Sequence, residues 1–460
     1  MGKGIGVDMT RVLGKPRAGL MLFAQKIYPP PFPSPEETIG FADASARGLI
    51  ERGIDIVFPR EIISNIADAR KMARKLWAQD VDSLILFVGT WVEEPVVIAA
   101  VKEVFDLPII VWGMPMYYKK GVKETTGSLC AAAITRATLD EIGRKFKFVV
   151  GLPDDVRALE KATGYCKSAS TVKMLRRARV GLIGYASMGM YPATFDHVTL
   201  RDHIGPEVVH IDNYLLIRRM EAISEEKVKE QGENMREKYF VESDVQEKDL
   251  LEVSRMYLAF KELVNEFDLN ALCPKCQYEM SKYYGAVCCV PLSVLADEGL
   301  VTACEGDVHL TVTMMILHHL TGKPVYYGDT LDIRGNDKLY LSSCGFAPLT
   351  LASDPSTMGI GKHKLAFTGL RSGITLRPGR VTVARLGVRK GTYLMHISTG
   401  DAVKTELRTG YFPATELALD ANVEDFMQNV LSQHYAVVHG EVKEELMNIC
   451  DLLNIKPIIT

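Results

Sequence analysis

The chain has 460 residues, 47% of them hydrophobic and 24% charged, with a formal net charge of −3. This ordinary globular usage argues against a disordered chain and against a polyanion binder, so nucleic acid is not expected as a partner. One hydrophobic core does not usually serve such a length, and more than one domain is expected.

Nine cysteines, an odd number in a chain large enough to do without disulfides, read as reduced thiols of a cytoplasmic protein. The opening MGKGIGVDMTRVLGKPRAG lacks the apolar core of a leader peptide. Apolar runs stay below the ~18 residues of a membrane span, so no membrane partner is expected.

From Arg17 to about residue 150, short apolar runs (AGLMLFAQ, DIVFP, SLILFVG, PIIVWG) alternate with helix-patterned stretches. That alternation predicts βαβ units and a doubly wound parallel sheet. Ser34-Pro35-Glu36-Glu37 has the form of a helix start after the PPPFP loop. The first domain is placed at residues 1–177. A new apolar strand and glycine loop, RARVGLIGYASMGMYPATFD, open a second α/β domain at 178–320, with the charged segment from Ser224 to Phe267 as two outer helices. Residues 321–460 change texture to β-branched, basic and glycine-turn sequence, which predicts a β-rich, barrel-like third domain closed by the strand HYAVVHG and a helix.

Two acids bracket the segment TACEGDVHLTVTMMILHHLTGKPVYYGDT, Glu305 near its start and Asp329 near its end. Each is placed at the end of an apolar, otherwise buried strand, and carboxylates enter such surroundings only when paired or bound to a cation. A divalent metal would satisfy both. Asp307 has a plainer role available, capping the helix that begins near Val308. His309, His318 and His319 ride that helix and read as scaffolding, the last two beside its terminal carbonyls. His434 opens a strand after a polar stretch and is the better imidazole. His439, five residues on, points to the opposite face of the strand.

Cys273, Cys276, Cys288 and Cys289 invite a zinc reading, but adjacent cysteines hold one ion poorly, and buried thiols are the simpler expectation. The loop GLIGYASMG is spaced G-x-x-G-x-x-x-x-G, unlike a dinucleotide fingerprint. Trp91, in FVGTWVEEP, offers either a face for a sugar or packing for a rim loop.

The segment TACEGDVHLTVTMMILHHLTGKPVYYGD resembles the metal-binding stretch of the L-fucose isomerase family. HYAVVHGEVKEELMNICDLLNIKPI resembles its histidine strand and closing helix, GYASMGMYPATFD its second-domain loop, and FVGTWVEEP its tryptophan loop. The resemblance implies an aldose–ketose isomerase using Mn²⁺, built as a hexamer or on trimers, with sites between subunits. It implies Glu305, Asp329 and His434 as metal ligands, and the two acids as the pair that moves a proton through a cis-enediol. Trp91, Gln277, Ser343, Met188, Arg17 and Tyr411 are then the residues expected against a monosaccharide substrate. Arg17 and Tyr411 stand where this chain departs from the family's loops. The substrate is left open among a deoxysugar, a pentose and a hexose carrying an acidic group; the last would need a cation, with Lys119, Lys120, Arg371 and Arg377 as candidates. The other reading is a non-catalytic sugar-binding protein on the same fold.

Overall fold

The computed structural model describes residues 14–26, 33–104, 106–335, 337–357, 359–365 and 368–460. Most of the amino-terminal stretch read for a leader, and Pro29 to Phe32 of the proline-rich loop, lie outside these residues. Two compact units divide the described chain at Lys173 and Met174.

The first unit carries the strands β1 (Arg17–Phe23), β2 (Asp55–Val57), β3 (Ile62–Ile63), β4 (Ser83–Val88) and β5 (Ile109–Gly113), a small hairpin of β6 (Tyr117–Lys119) and β7 (Val122–Glu124), and β8 (Phe146–Val150). Apart from the hairpin they form one parallel sheet ordered β2-β1-β4-β5-β8, with β3 also on β1. The central strand SLILFV is buried at every position, as a parallel strand covered on both faces requires. Its helices are α1 (Pro35–Glu51), α2 (Ile66–Trp77), α3 (Glu94–Glu103), α4 (Ser128–Glu141) and α5 (Val156–Arg177), the last containing the unit boundary. The expected start of α1 is a capping box: Ser34 Oγ accepts from the Glu37 amide at 3.2 Å, and Glu37 Oε2 accepts from the Ser34 amide at 3.0 Å.

The second unit begins with another parallel sheet, formed by β9 (Arg179–Ile183), β10 (Glu207–Ile211), β12 (Ala271–Pro274) and β13 (Val301–Thr302) in the order β10-β9-β12-β13. Around it stand α6 (His197–His203), α7 (Asn213–Ala222), α8 (Glu225–Lys238), α9 (Glu247–Glu266), α10 (Cys289–Asp297) and α11 (Val308–Thr321). The charged segment forms α8 and α9, with the short β11 (Phe240–Val241) between them. Strand β11 pairs instead with β16 (Gly359–Lys362), which pairs with β17 (Leu370–Gly373).

The remaining strands make the barrel: β14 (Tyr326–Arg334), β15 (Lys338–Ser342), β18 (Gly379–Arg389), β19 (Thr392–Val403), β20 (Ala414–Leu419) and β21 (His434–His439). They run antiparallel in the order β18-β21-β14-β15-β20-β19, and the pairing of β18 with β19 closes the ring. Closure leaves no free edge within the ring. After α12 (Val423–Gln428) and α13 (Lys443–Leu452), the terminal β22 (Lys456–Ile459) adds to β19 in parallel. Helix α11 is buried along nearly its whole length and packs on β18 and β21 of the barrel as well as on β12 and β13 of the parallel sheet. This helix joins the two halves of the site.

One local expectation is corrected. Strand β14 does not stop at Asp329 but runs on to Arg334, because β15 keeps pairing with it as far as Lys338 across an irregularity after Thr330. Asp329 is instead the position where its other neighbour, β21, begins.

Candidate active site

Crevices in parallel sheets form at the carboxyl ends of strands, and Glu305 lies in the turn after β13. Its backbone is left-handed (φ 63°), as is that of Gly306 (φ 68°). A Cβ on Gly306 would lie 2.4 Å from the Tyr185 carbonyl oxygen, so only glycine lets the loop after β9 approach this closely. Ser187 ties that loop down, its amide donating to Gly306 O at 3.1 Å. The turn therefore holds the Glu305 side chain in a fixed, 6%-exposed position.

Asp329 and His434 arrive from the barrel, opposite each other in antiparallel register on β14 and β21. Directly opposed residues project to the same face. His434 Nε2 is 3.3 Å from Asp329 Oδ1 and 3.3 Å from Glu305 Oε2. Its Nδ1 lies 2.9 Å from Asp307 Oδ2. Asp307 also caps α11, accepting the Leu310 amide at 3.0 Å, and it is gripped by Arg385, with Nη1 at 2.9 Å and Nη2 at 3.0 Å. Asp307, Arg385 and His434 are fully buried. Tyr327 meets the imidazole edge-on at 5.3 Å and stacks on Phe346 at 5.2 Å.

Burial pushes the Glu305 carboxyl up to about 7, helped by neighbouring Cys344 and opposed by His434. Asp307 is buried too, yet the Arg385 guanidinium and His434 outweigh that cost and hold it well below the usual carboxylate range. For His434, burial favours the neutral ring, and the three carboxylates overcome it and raise its basicity well above the ordinary value.

With a neutral imidazole, the form a metal ligand takes, three ionised carboxylates against one guanidinium would leave two negative charges, which a divalent cation balances. Among the described residues no three acidic, imidazole or thiol groups form a ready-made coordination shell. The donor chemistry nevertheless fits a cation. Asp307 on Nδ1 stands where an outer carboxylate would orient the ring of a ligating histidine.

Gln277 is buried in the loop after β12, the strand beside β13. Met188 lies in the left-handed turn after β9. Ser343 follows β15, buried, its hydroxyl donating to Phe346 O at 2.6 Å. Tyr411, 58% exposed, occupies a turn and lies against Arg371. Trp91 and Arg17 belong to the first unit. Trp91 follows β4 and its amide donates to Thr126 O at 2.9 Å. Arg17 opens β1 at the amino end of the sheet and pairs with Asp55 at 3.1 Å. Of the candidate cations, Lys119 pairs with Glu37, Arg371 is fully buried against Glu242, and Arg377 donates to Thr350 O. Lys120 is exposed at the hairpin tip.

His318 Nδ1 meets Lys323 O at 2.8 Å beyond the end of α11, and His309 is buried edge-on to Tyr393. All nine cysteines are free. Cys276 stands beside Cys288 and Cys304, and Cys344 beside Cys289, Cys304 and Glu305, so the thiols pack behind the acid. The sequence reading gave Asp307 only its cap and did not find Arg385. The available signal was a lone arginine in the otherwise apolar run VTVARLGV.

No family model matches the chain. It is similar along most of its length to curated sulfoquinovose isomerases. One from Alkalicoccus urumqiensis is 27% identical over 382 residues, 81% of this chain and 85% of the relative. One from Priestia aryabhattai is 23% identical, covering 87% and 90%, and one from Clostridium sp. (strain MSTE9) is 24% identical, covering 90% and 93%. Among solved structures, a periplasmic solute-binding protein from Actinobacillus succinogenes 130z with bound D-allose matches over 67% of this chain and 93% of its own, at 11% identity and a TM-score of 0.18. The glucose-galactose binding protein GanP from Geobacillus stearothermophilus matches with 13% identity and a TM-score of 0.17, over 67% and 92%. The chain is thus a distant homologue of sugar isomerases and an enzyme of that class. Among the described residues no helix is long and apolar enough to cross a membrane.

Proposed function

We propose that this enzyme interconverts an aldose and its ketose, that the sugar is a hexose carrying a sulfonate, and that Glu305, Asp329 and His434 hold a divalent cation. The observation that carries this reading is the meeting of two acids from different parts of the fold on one imidazole nitrogen, at 3.3 Å each. The names of the relatives support the sulfonated hexose. Two carboxylates and one imidazole are a donor set suited to Mn²⁺. When bound, such a cation stabilises negative charge on the two reacting oxygens.

The protein's own groups supply the rest. A carboxylate of the Glu305–Asp329 pair takes the proton from C2 of the open-chain aldose, leaving a cis-enediol, and its conjugate acid returns a proton to C1 while the hydroxyl proton passes from O2 to O1. No redox cofactor is needed. Asp307 and Arg385 keep the ring of His434 oriented. Gln277, Met188, Ser343 and Tyr411 contribute to reading the sugar, and Trp91 of a neighbouring copy walls it in a hexameric or trimer-based assembly.

The test is ketose formation from sulfoquinovose and from neutral aldoses, before and after chelation and with Mn²⁺ restored. Isomerisation of the sulfonated sugar in deuterated water, with solvent deuterium appearing at C1, is expected. Activity indifferent to exhaustive chelation would remove the cation from the scheme, and absence of any ketose would remove the isomerase reading.

A further inference from the structure

A sulfonate keeps its charge at all physiological pH values, so a site that selects it needs a cation that is poorly hydrated and reachable. Lys275 is a desolvated cation whose counter-ion, Glu279, is exposed. It follows β12 directly, one strand over from the Glu305 turn, and its side chain is 0% exposed. The ammonium lies 3.9 Å from the centre of the Tyr185 ring and 5.7 Å from that of Tyr278. Its ionic partner is the carboxylate of Glu279, four residues on, whose own side chain is 54% exposed. Tyr185 Oη donates to the same carboxylate at 3.2 Å. Tyr185 belongs to the loop held against Gly306, so this cluster borders the acid of the proposed reaction.

A buried ammonium whose counter-ion sits at the surface is an anion site with an exchangeable occupant. Tyr185 and Tyr278 are about half exposed, at 48% and 56%, and both rings lie beside the ammonium. Arg385, by contrast, is committed to Asp307 inside the core, and Arg371 to Glu242. Neither can turn to a ligand without leaving a carboxylate unpaired.

We propose that Lys275 receives the sulfonate of the substrate, displacing Glu279, and that Tyr185 and Tyr278 flank the bound group. This inference rests on the sulfonated-hexose reading above. The chemistry is exchange of one anion for another on a fixed cation, with no covalent step.

The experiment measures KM and kcat for sulfoquinovose and for D-glucose, the neutral comparator, in the full-length wild type, Lys275→Met and Glu279→Gln. Losing a charge-assisted hydrogen bond is expected to raise KM for the sulfonated sugar about 10- to 100-fold in Lys275→Met, leaving the constants for the neutral sugar within about twofold. Glu279→Gln removes the competitor and is expected to lower KM for the sulfonated sugar several-fold, again without changing the neutral one. That second variant keeps the surface side chain's size, so it reads out even if Lys275→Met folds poorly. A purely structural ion pair would move both sugars together in both variants, and that result overturns the inference. If the wild type prefers the sulfonated sugar and Glu279→Gln leaves the preference unchanged, the inference falls and the functional reading stands. If the wild type isomerises only the neutral sugar, the sulfonated-hexose reading falls and takes this assignment with it.

Discussion

Asp307 Oδ2 lies 2.9 Å from His434 Nδ1, and the same carboxylate is held by both terminal nitrogens of Arg385. One acid therefore holds the ring through Nδ1 while a guanidinium holds the acid. The consequence is that Nε2 is presented to Glu305 and Asp329 at a defined angle. Asp307→Asn keeps the shape but weakens this hold. Mn²⁺ affinity, followed by titration calorimetry, is expected to fall about 10- to 100-fold, the usual effect of losing such an outer partner. Wild-type affinity in this variant would show that His434 needs no orienting carboxylate.

On the proposed mechanism, Glu305→Gln separates proton transfer from cation binding. The amide retains one oxygen donor and has no basic site, so turnover is expected to fall by about 10²- to 10⁴-fold, with Mn²⁺ affinity reduced far less. Solvent deuterium should no longer enter the product at a measurable rate. A variant that keeps exchange while losing net isomerisation would move the proton-transfer role to Asp329 alone.

Arg385→Leu leaves Asp307 as a buried charge with too few partners. Such removals cost about 3–5 kcal/mol, readable as a shift of the denaturation midpoint. The double variant Arg385→Leu, Asp307→Asn is expected to be more stable than the single Arg385→Leu, because the orphaned charge has gone. Additive losses in this cycle would mean that the pair is not energetically coupled.

The alternation of apolar runs with helix-patterned stretches was enough to predict both parallel sheets, because a strand covered on both faces must be apolar throughout. The barrel was legible for a similar reason, in β-branched runs separated by glycine turns. Strand β22 was not, since four residues of KPII carry no period of their own and depend on β19 for their edge. Glu305, Asp329 and His434 stood out as polar groups in apolar surroundings and through their resemblance to known motifs. Asp307 hid behind a local role that its position already explained, and its second role depends on partners 78 and 127 residues away. The same distance hid the thiol cluster, where Cys304 and Cys344 join Cys276, Cys288 and Cys289 only once the chain is folded.

Buried histidines also set a pH limit on the fold. His396 is fully buried on β19, its Nδ1 2.7 Å from Tyr435 Oη and its Nε2 2.9 Å from Thr460 Oγ1. Burial, with Arg389 adding to it, pulls its pKa down to about 4. The unfolded chain takes up this proton near pH 6.5 and the folded chain does not, so stability falls as pH drops from 6.5 towards 4, by up to about 1.4 kcal/mol per pH unit. Glu305 acts with the opposite sign between its ordinary range and about 7, because its buried acid form is favoured there. The measurement is therefore a comparison of urea midpoints at pH 6.5 and pH 4.5 in the wild type and in His396→Gln. The variant is expected to be less stable at pH 6.5, having lost a packed ring, but to lose less of its remaining stability on acidification. An equal drop in both proteins would show that His396 does not stay neutral in the folded barrel.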